Sequence, residues 1–218
     1  MKKAILFFSL LALGSFSILA QTQAVSDYKK AEFYIGYSNG QVDTGIDSGS
    51  SVSSFFDDRE SFNGFNASGV YNISRYFGLK GDVSGTYKGN TFSDTITDPS
   101  GTSTVSFKSN RSLYNFLGGV QVKDNSTETR FKPFAHAMIG AGHARAKIKD
   151  FTCTGVCPAI IVPDETFSDT GLAGVVGGGL DIKVNKNFQI RAIQLDYNPV
   201  RVFGATDHNL RIGAGIVF

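Results

Sequence analysis

The chain has 218 residues with 21 Lys+Arg and 19 Asp+Glu, and it contains no Trp, 25 Gly, 19 Phe and two Cys. Two of the basic residues, Lys2 and Lys3, precede the apolar run 4–19, so the rest of the chain is balanced at 19 basic (21 less 2) against 19 acidic side chains. That balance removes any charge argument for a nucleic-acid or acidic partner.

The basic start, the apolar run and the small and polar residues from Ala20 to Ala24 read as a secretory signal, cleaved after Ala20 or Ala24. Residues 1–24 are then a leader and 25–218 a single domain. Mean hydropathy is near zero and no second apolar run is long enough for a spanning helix. Strands that average apolar against polar faces give that result in a membrane barrel.

The first predicted strand, 31–38, places Phe33, Ile35 and Tyr37 opposite Glu32, Tyr34, Gly36 and Ser38. A long loop follows from Gly40 to Phe62, including 47–51. The second strand, 63–73, sets Phe65, Ala67, Gly69 and Tyr71 against Asn66, Ser68, Val70 and Asn72. A short turn leads to the third, 77–87, with Leu79, Val83 and Tyr87 against Lys80, Asp82, Ser84 and Thr86. A second long polar stretch, 88–106, contains the turn signal 98–101.

Strand four, 107–123, alternates Tyr114, Phe116, Gly118, Val120 and Val122 with Asn115, Leu117, Gly119 and Gln121. The short link 124–130 leads to strand five, 131–146, with Ala135, Ala137, Ile139 and Ala141 toward lipid and His136 inward. A third long loop, 147–168, carries both cysteines. Strand six, 169–183, turns Leu172, Val176, Leu180 and Ile182 one way and Asp181 and Lys183 the other. In strand seven, 188–197, the parity slips, which predicts a β-bulge near Arg191-Ala192. After a last long loop, 198–206, the final strand, 207–218, carries Leu210, Ile212, Ala214, Ile216 and Phe218 on one face and Asn209, Arg211, Gly213, Gly215 and Val217 on the other.

Long and short connections alternate in this reading, as they do when tight periplasmic turns face cell-surface loops across a membrane. The expected fold is all-β: an eight-stranded antiparallel up-and-down transmembrane β-barrel in the bacterial outer membrane, with both termini periplasmic. Each strand is long enough to span when tilted, and closure leaves no open edge in lipid. Tyr76, Phe77, Phe131, Phe188 and Phe218 would form an aromatic girdle at the short-turn side.

The segments 79–85, 132–136, 194–197 and 209–218 together resemble the eight-stranded outer-membrane β-barrel family of OmpA-type and opacity-type transmembrane domains. The resemblance spans essentially all of 25–218. It implies insertion by the barrel-assembly machinery, with Phe218, Ile216, Ala214, Ile212 and Leu210 as the recognised signal. Longer OmpA-type proteins append a peptidoglycan-binding domain, which this sequence does not show, so a cell-wall tether is not expected.

Candidate chemistry gathers on the inward face, where Glu32, Lys80, Asp82, Asp181, Arg191, Asp196 and Arg211 form a polar cluster. The principal expectation is a structural polar core; a narrow ion or small-solute channel is the alternative. Arg211 could pair with Asp82 or Asp196. Cys153 and Cys157 are expected to form a loop disulfide worth only about 2 kcal/mol by chain entropy. Neither cofactor nor metal is expected.

Ser168, Asp169, Asp207 and His208 near the outer rim suggest a less favoured reading as a lipid A-modifying enzyme. The main reading is non-enzymatic: an envelope protein contacting lipid and lipopolysaccharide. Its surface loops would meet an extracellular ligand, as in adhesion, with Phe55-Phe56 and 160–162 as apolar contact points.

Overall fold

The computed structural model describes residues 28–43, 59–98, 101–126, 129–157, 163–185 and 187–218. The expected leader, the segment 47–51, Phe55-Phe56, 160–162 and the turn centre 99–100 lie outside the described residues. Among the described residues, eight antiparallel strands close into one barrel. They are β1 (Ala31–Asp43), β2 (Arg59–Asn72), β3 (Phe77–Asp98), β4 (Gly101–Lys123), β5 (Phe131–Gly155), β6 (Glu165–Lys183), β7 (Gln189–Val202) and β8 (Ala205–Val217). None of the described residues forms a helix long and apolar enough to cross a membrane, which says nothing of crossing by strands.

Period-two alternation decides which side chains enter the barrel. On β1, Glu32, Tyr34 and Ser38 are buried whereas Phe33, Ile35 and Tyr37 are exposed, and β3 repeats the pattern with Lys80, Asp82, Ser84 and Thr86 inside. The outward face is therefore apolar and the inward face largely polar, the reverse of a soluble barrel. The seam between first and last strands continues through Phe218, whose N–H donates to the Phe33 carbonyl at 2.8 Å and whose carbonyl accepts from the Phe33 N–H at 3.1 Å.

Aromatic side chains mark two levels. Phe33, Tyr76, Phe77, Phe131 and Phe218 are exposed near the short turns, and Phe188 packs against Phe218 with ring centroids 6.1 Å apart. Tyr37, Tyr87 and Tyr197 are exposed further along, with Tyr114 edge-on to Tyr87 at 5.4 Å. From Phe77 to Tyr87 the chain advances roughly 33 Å along β3, or roughly 25 Å along the membrane normal at a 40° tilt, which matches the apolar band of such barrels.

Beyond the tyrosines the strands outrun the expectation. The polar stretch 88–106 is not a loop: β3 and β4 stay paired from Tyr87↔Ser112 to Asp98↔Gly101. Facing hydroxyls of Thr95 and Thr104 lie 3.1 Å apart, those of Thr97 and Thr102 3.2 Å, and Phe92 stacks on Phe107 at 5.2 Å. Above lipid both faces meet water, so the alternation that signals a strand vanishes while the β-branched and aromatic residues that favour one persist. For the same reason β5 runs on to Gly155 and β6 begins at Glu165, within the expected loop 147–168.

The expected long loop 198–206 is also replaced. Strands β7 and β8 meet at a tight turn, Phe203-Gly204, where both residues adopt positive φ, 51° and 82°. This is the left-handed pair that matches hairpin twist. The strict alternation of long and short connections therefore does not hold, although the barrel it suggested does.

The β7 bulge forms where the parity slips. Arg191 pairs with Gly215 and Gln194 with Gly213, so Ala192 and Ile193 together oppose Ala214. The extra residue lets Arg191 and Gln194 both point inward while Ala192 and Ile193 face out. Deleting Ala192 should straighten the strand with Arg191 and Gln194 still inward and Ile193 alone opposite Ala214, so the variant should keep the folded, heat-modifiable species on unheated gels. Deleting Leu195, in the regular part of the strand, should instead force Gln194 or Asp196 toward lipid and abolish that species; the reverse pattern would contradict this assignment.

Candidate functional site

An eight-stranded barrel has an interior just wide enough to be filled by side chains. Seven of those side chains, Glu32, Lys80, Asp82, Asp181, Arg191, Asp196 and Arg211, are each no more than 3% exposed, and they form two connected layers.

The layer nearer the short turns centres on Lys123, at the end of β4. Its ammonium donates to both Glu32 carboxylate oxygens (3.0 and 2.9 Å), to Asp181 Oδ2 (2.8 Å) and to Gln189 Oε1 (3.1 Å). Arg191 grips Asp181 with two parallel bonds, Nε to Oδ1 at 2.8 Å and Nη2 to Oδ2 at 3.1 Å. The guanidinium also lies over the rings of Tyr34 and Phe134, at 4.2 and 4.0 Å, a cation–π sandwich. Two cations thus face two carboxylates.

The second layer centres on Arg211. Its Nε donates to Asp196 Oδ2 at 2.8 Å, and its Nη1 donates to Asp82 Oδ1 and Ser84 Oγ, both at 2.9 Å. Asn66 donates to the other Asp82 oxygen at 2.8 Å. Lys80 Nζ lies 3.0 Å from His136 Nδ1, and His136 Nε2 lies 2.8 Å from Asp196 Oδ1. With the ammonium donating to Nδ1, the imidazole is neutral and donates through Nε2. Gln194 joins the layers, accepting from Arg191 and donating to Asp196 at 2.8 and 2.7 Å.

Arg211 therefore pairs with both Asp82 and Asp196. The sequence reading missed Lys123 as the hub, although it shares the inward parity of Asn115 and Gln121. Small residues make room for the network. A Cβ on Gly177 would come within 2.2 Å of Asp196 Oδ1, and one on Gly36 within 2.3 Å of the Tyr34 hydroxyl.

Toward the tyrosine level the interior changes character. Leu113, Leu117, Met138, Ala173, Val175, Val200 and Val202 form a buried apolar cluster against which Val42 and Ala144 pack. Leu117, Gly140, Ala173 and Val200 are consecutive register partners across β4 to β7, so this cluster forms a plug across one side of the lumen.

The rim residues do not assemble a nucleophilic triad. His208 Nδ1 meets the Tyr197 hydroxyl at 2.5 Å, Asp169 accepts from the Thr170 and Phe203 amides, and Ser168 stands in register with Arg145. No three His, Cys, Asp or Glu side chains come together as a metal site among the described residues. Cys153 and Cys157 are disulfide-bonded near the far end of β5, with Cα atoms 6.0 Å apart. Leu210, Ile212, Ala214, Ile216 and Phe218 lie on the outer face of β8, with Leu210 half-buried.

At the short-turn mouth, Lys29, Asn125, Ser126, Lys132, Lys183, Asn185 and Gln189 line a cavity of about 320 Å³. Burial lowers the Lys29 ammonium from its ordinary value, partly offset by Glu32. Nearby, the hydrogen bond from Arg75, at 3.1 Å, holds the Asp124 carboxyl well below the usual carboxylate range.

The sequence matches the family model of the outer membrane protein beta-barrel domain over residues 8–218, and the chain belongs to that family. The family places it in the bacterial outer membrane. Among solved structures it is similar to Ail, the attachment invasion locus protein of Yersinia pestis, solved in complex with the heparin analogue sucrose octasulfate. The identity is 21% and the TM-score 0.54, over 87% of this chain and 98% of that one. A second structure of Ail gives 19% and 0.53, over 88% and 99%. Neisserial surface protein A gives 14% and 0.46, over 86% and 95%. At these identities the Ail structures support the shared fold alone. No curated protein matches the chain.

Replacing Lys123 by Met strands Glu32 and Asp181 beside each other with one cation fewer, a loss of about 3–5 kcal/mol for a broken buried pair. Guanidinium unfolding of the barrel in micelles should show it, with part restored by adding Glu32→Gln. Wild-type stability of the single variant would contradict the hub.

Proposed function

We propose that this outer-membrane barrel is a non-enzymatic surface protein, closed to solutes, that turns the long extensions of β3 to β6 outward for adhesion. In this reading residues 25–218 form the mature domain and both termini face the periplasm. The observation that carries it is the paired sheet beyond the tyrosines, where β3 alone continues for roughly 35 Å past Tyr87. A protein that only sealed the membrane would have no use for so long an ordered projection.

The sheet exposes Phe92, Ile96 and Val156 beside Ser and Thr. At its root Tyr87, Asn110, Arg145 and Lys147 line a cavity of about 390 Å³, while Lys88 and Arg111, on the same stretch of strand, pair with Glu60. Basic side chains on an outward face suit a sulfated polysaccharide, the chemistry of the heparin analogue found with Ail. The aromatic outer wall would meet lipid and lipopolysaccharide, and the outer face of β8 ending in Phe218 would engage the barrel-assembly machinery.

The apolar plug and the internally neutral ion-pair layers speak against a channel. The engagement of His208 with Tyr197 speaks against a serine–histidine catalyst. The folded barrel should be retained on immobilised heparin, and the double variant Arg145→Gln, Lys147→Gln should elute at lower salt. Replacing residues 90–109 by a two-residue turn, which the Gly89↔Asn110 register permits, should abolish attachment to matrix-coated surfaces. Equal retention and attachment by all forms would overturn the adhesion reading, and conductance steps in a planar bilayer would overturn the closed lumen.

A further inference from the structure

The cavity at the short-turn mouth is not accounted for by adhesion or by packing. Its walls come from Lys29 ahead of β1, the β4–β5 connection with Asn125 and Ser126, the ends of β5 and β6 with Lys132 and Lys183, and the entry to β7 with Asn185 and Gln189.

The charge balance of this mouth differs from that of the layers above it. The nearest carboxylates are already engaged: Glu32 by Lys123, Asp181 by Lys123 and Arg191, and Asp124 by Arg75. Lys132 is 4% exposed, yet the hydrogen bond from its ammonium goes to the Ser126 carbonyl, a neutral acceptor, at 2.5 Å. A buried ammonium that meets only a neutral oxygen retains most of its charge uncompensated.

Asn125, in the same wall, is also unsatisfied. It is 2% exposed, it lines the same cavity, and neither its side-chain amide nitrogen nor its amide oxygen has a hydrogen-bond partner in the protein. Buried amides are nearly always paired, so an orphan beside the Lys132 ammonium signals a group that donates or accepts there.

We propose that this cavity binds a phosphate group, with Lys29 and Lys132 supplying charge, the Asn125 amide nitrogen donating a hydrogen bond, and Lys183 at the rim. Several converging donors suit an acceptor with three or four oxygens and up to two negative charges better than a single carboxylate. A volume of about 320 Å³ falls at the low end of small-ligand sites, so it holds the phosphate with a small substituent. A phospholipid headgroup bending over the rim and a soluble phosphorylated molecule present the same chemistry.

The site faces the periplasm if the orientation proposed above is correct. Titration in detergent reads the site whichever way the barrel inserts, so failure of one idea is distinguishable from failure of the other. Inorganic phosphate is titrated into the full barrel in maltoside micelles at constant ionic strength, with the backbone amides of Ser126, Lys132 and Asn185 followed by NMR. Saturable shifts at these amides are expected, with none at the Phe203-Gly204 turn. Lys29→Gln, a change outside the strands, and Lys132→Gln should each weaken binding about tenfold, the usual scale for a charge-assisted bond.

Nanodiscs containing phosphatidylglycerol separate the two sources. If they shift the same amides and block phosphate, the occupant is a headgroup; if phosphate still binds, it is a soluble phosphorylated molecule. Either outcome supports the site. Absence of saturable shifts at the three amides, or unchanged affinity in the Lys29→Gln barrel, would overturn it.

Discussion

Carboxylates and cations inside a narrow, lipid-wrapped barrel must satisfy one another, because neither bulk water nor an apolar exterior can accept them. The rest of the structure follows from how this chain meets that demand. Four acids, Glu32, Asp82, Asp181 and Asp196, come from four different strands, and Lys123, Arg191, Arg211 and Lys80 stand among them. Arg191 forks onto Asp181 and Arg211 spans Asp82 and Asp196, the geometry that makes such pairs directional. Sheet register is thereby cross-linked through the lumen as well as along the wall.

The demand reaches outward into the wall. The bulge at Ala192-Ile193 keeps Arg191 and Gln194 on the inner face, and so connects the two layers. Glycines on β1 and β6 leave the volume that Tyr34 and Asp196 occupy. Where the polar layers end, Leu117, Met138 and Val175 fill the interior instead. A barrel filled in this way is a rigid post through the membrane, and the long β3–β4 extension is the part with freedom to specialise.

How much of this was legible in the sequence depended on whether one face of a strand met lipid. Between Phe77 and Tyr87 one face meets lipid and the other the lumen, so alternation named Lys80, Asp82, Ser84 and Thr86 as inward, and the slipped parity of β7 located the bulge. Past Tyr87 both faces meet water; the strand continues through Thr95 and Thr97, yet no period betrays it. The turn at Phe203-Gly204 was hidden for another reason, since a phenylalanine at positive φ is not a turn signal. Lys123 had the right parity but stood at the edge of a polar link, where a lysine reads as solvated. The Asn125 cavity depends on chain segments far apart in sequence, which only the closed sheet brings together.

The central claim is that the lumen is held by specific ion pairs rather than by polar side chains that merely fit. A double-mutant cycle on Arg211 and Asp82, using Arg211→Met and Asp82→Asn in the folded barrel, tests this most directly. Unfolding free energies of the four forms should give a coupling of about 1.5–3 kcal/mol, as for hydrogen bonds to charged groups. A coupling indistinguishable from zero would contradict the account.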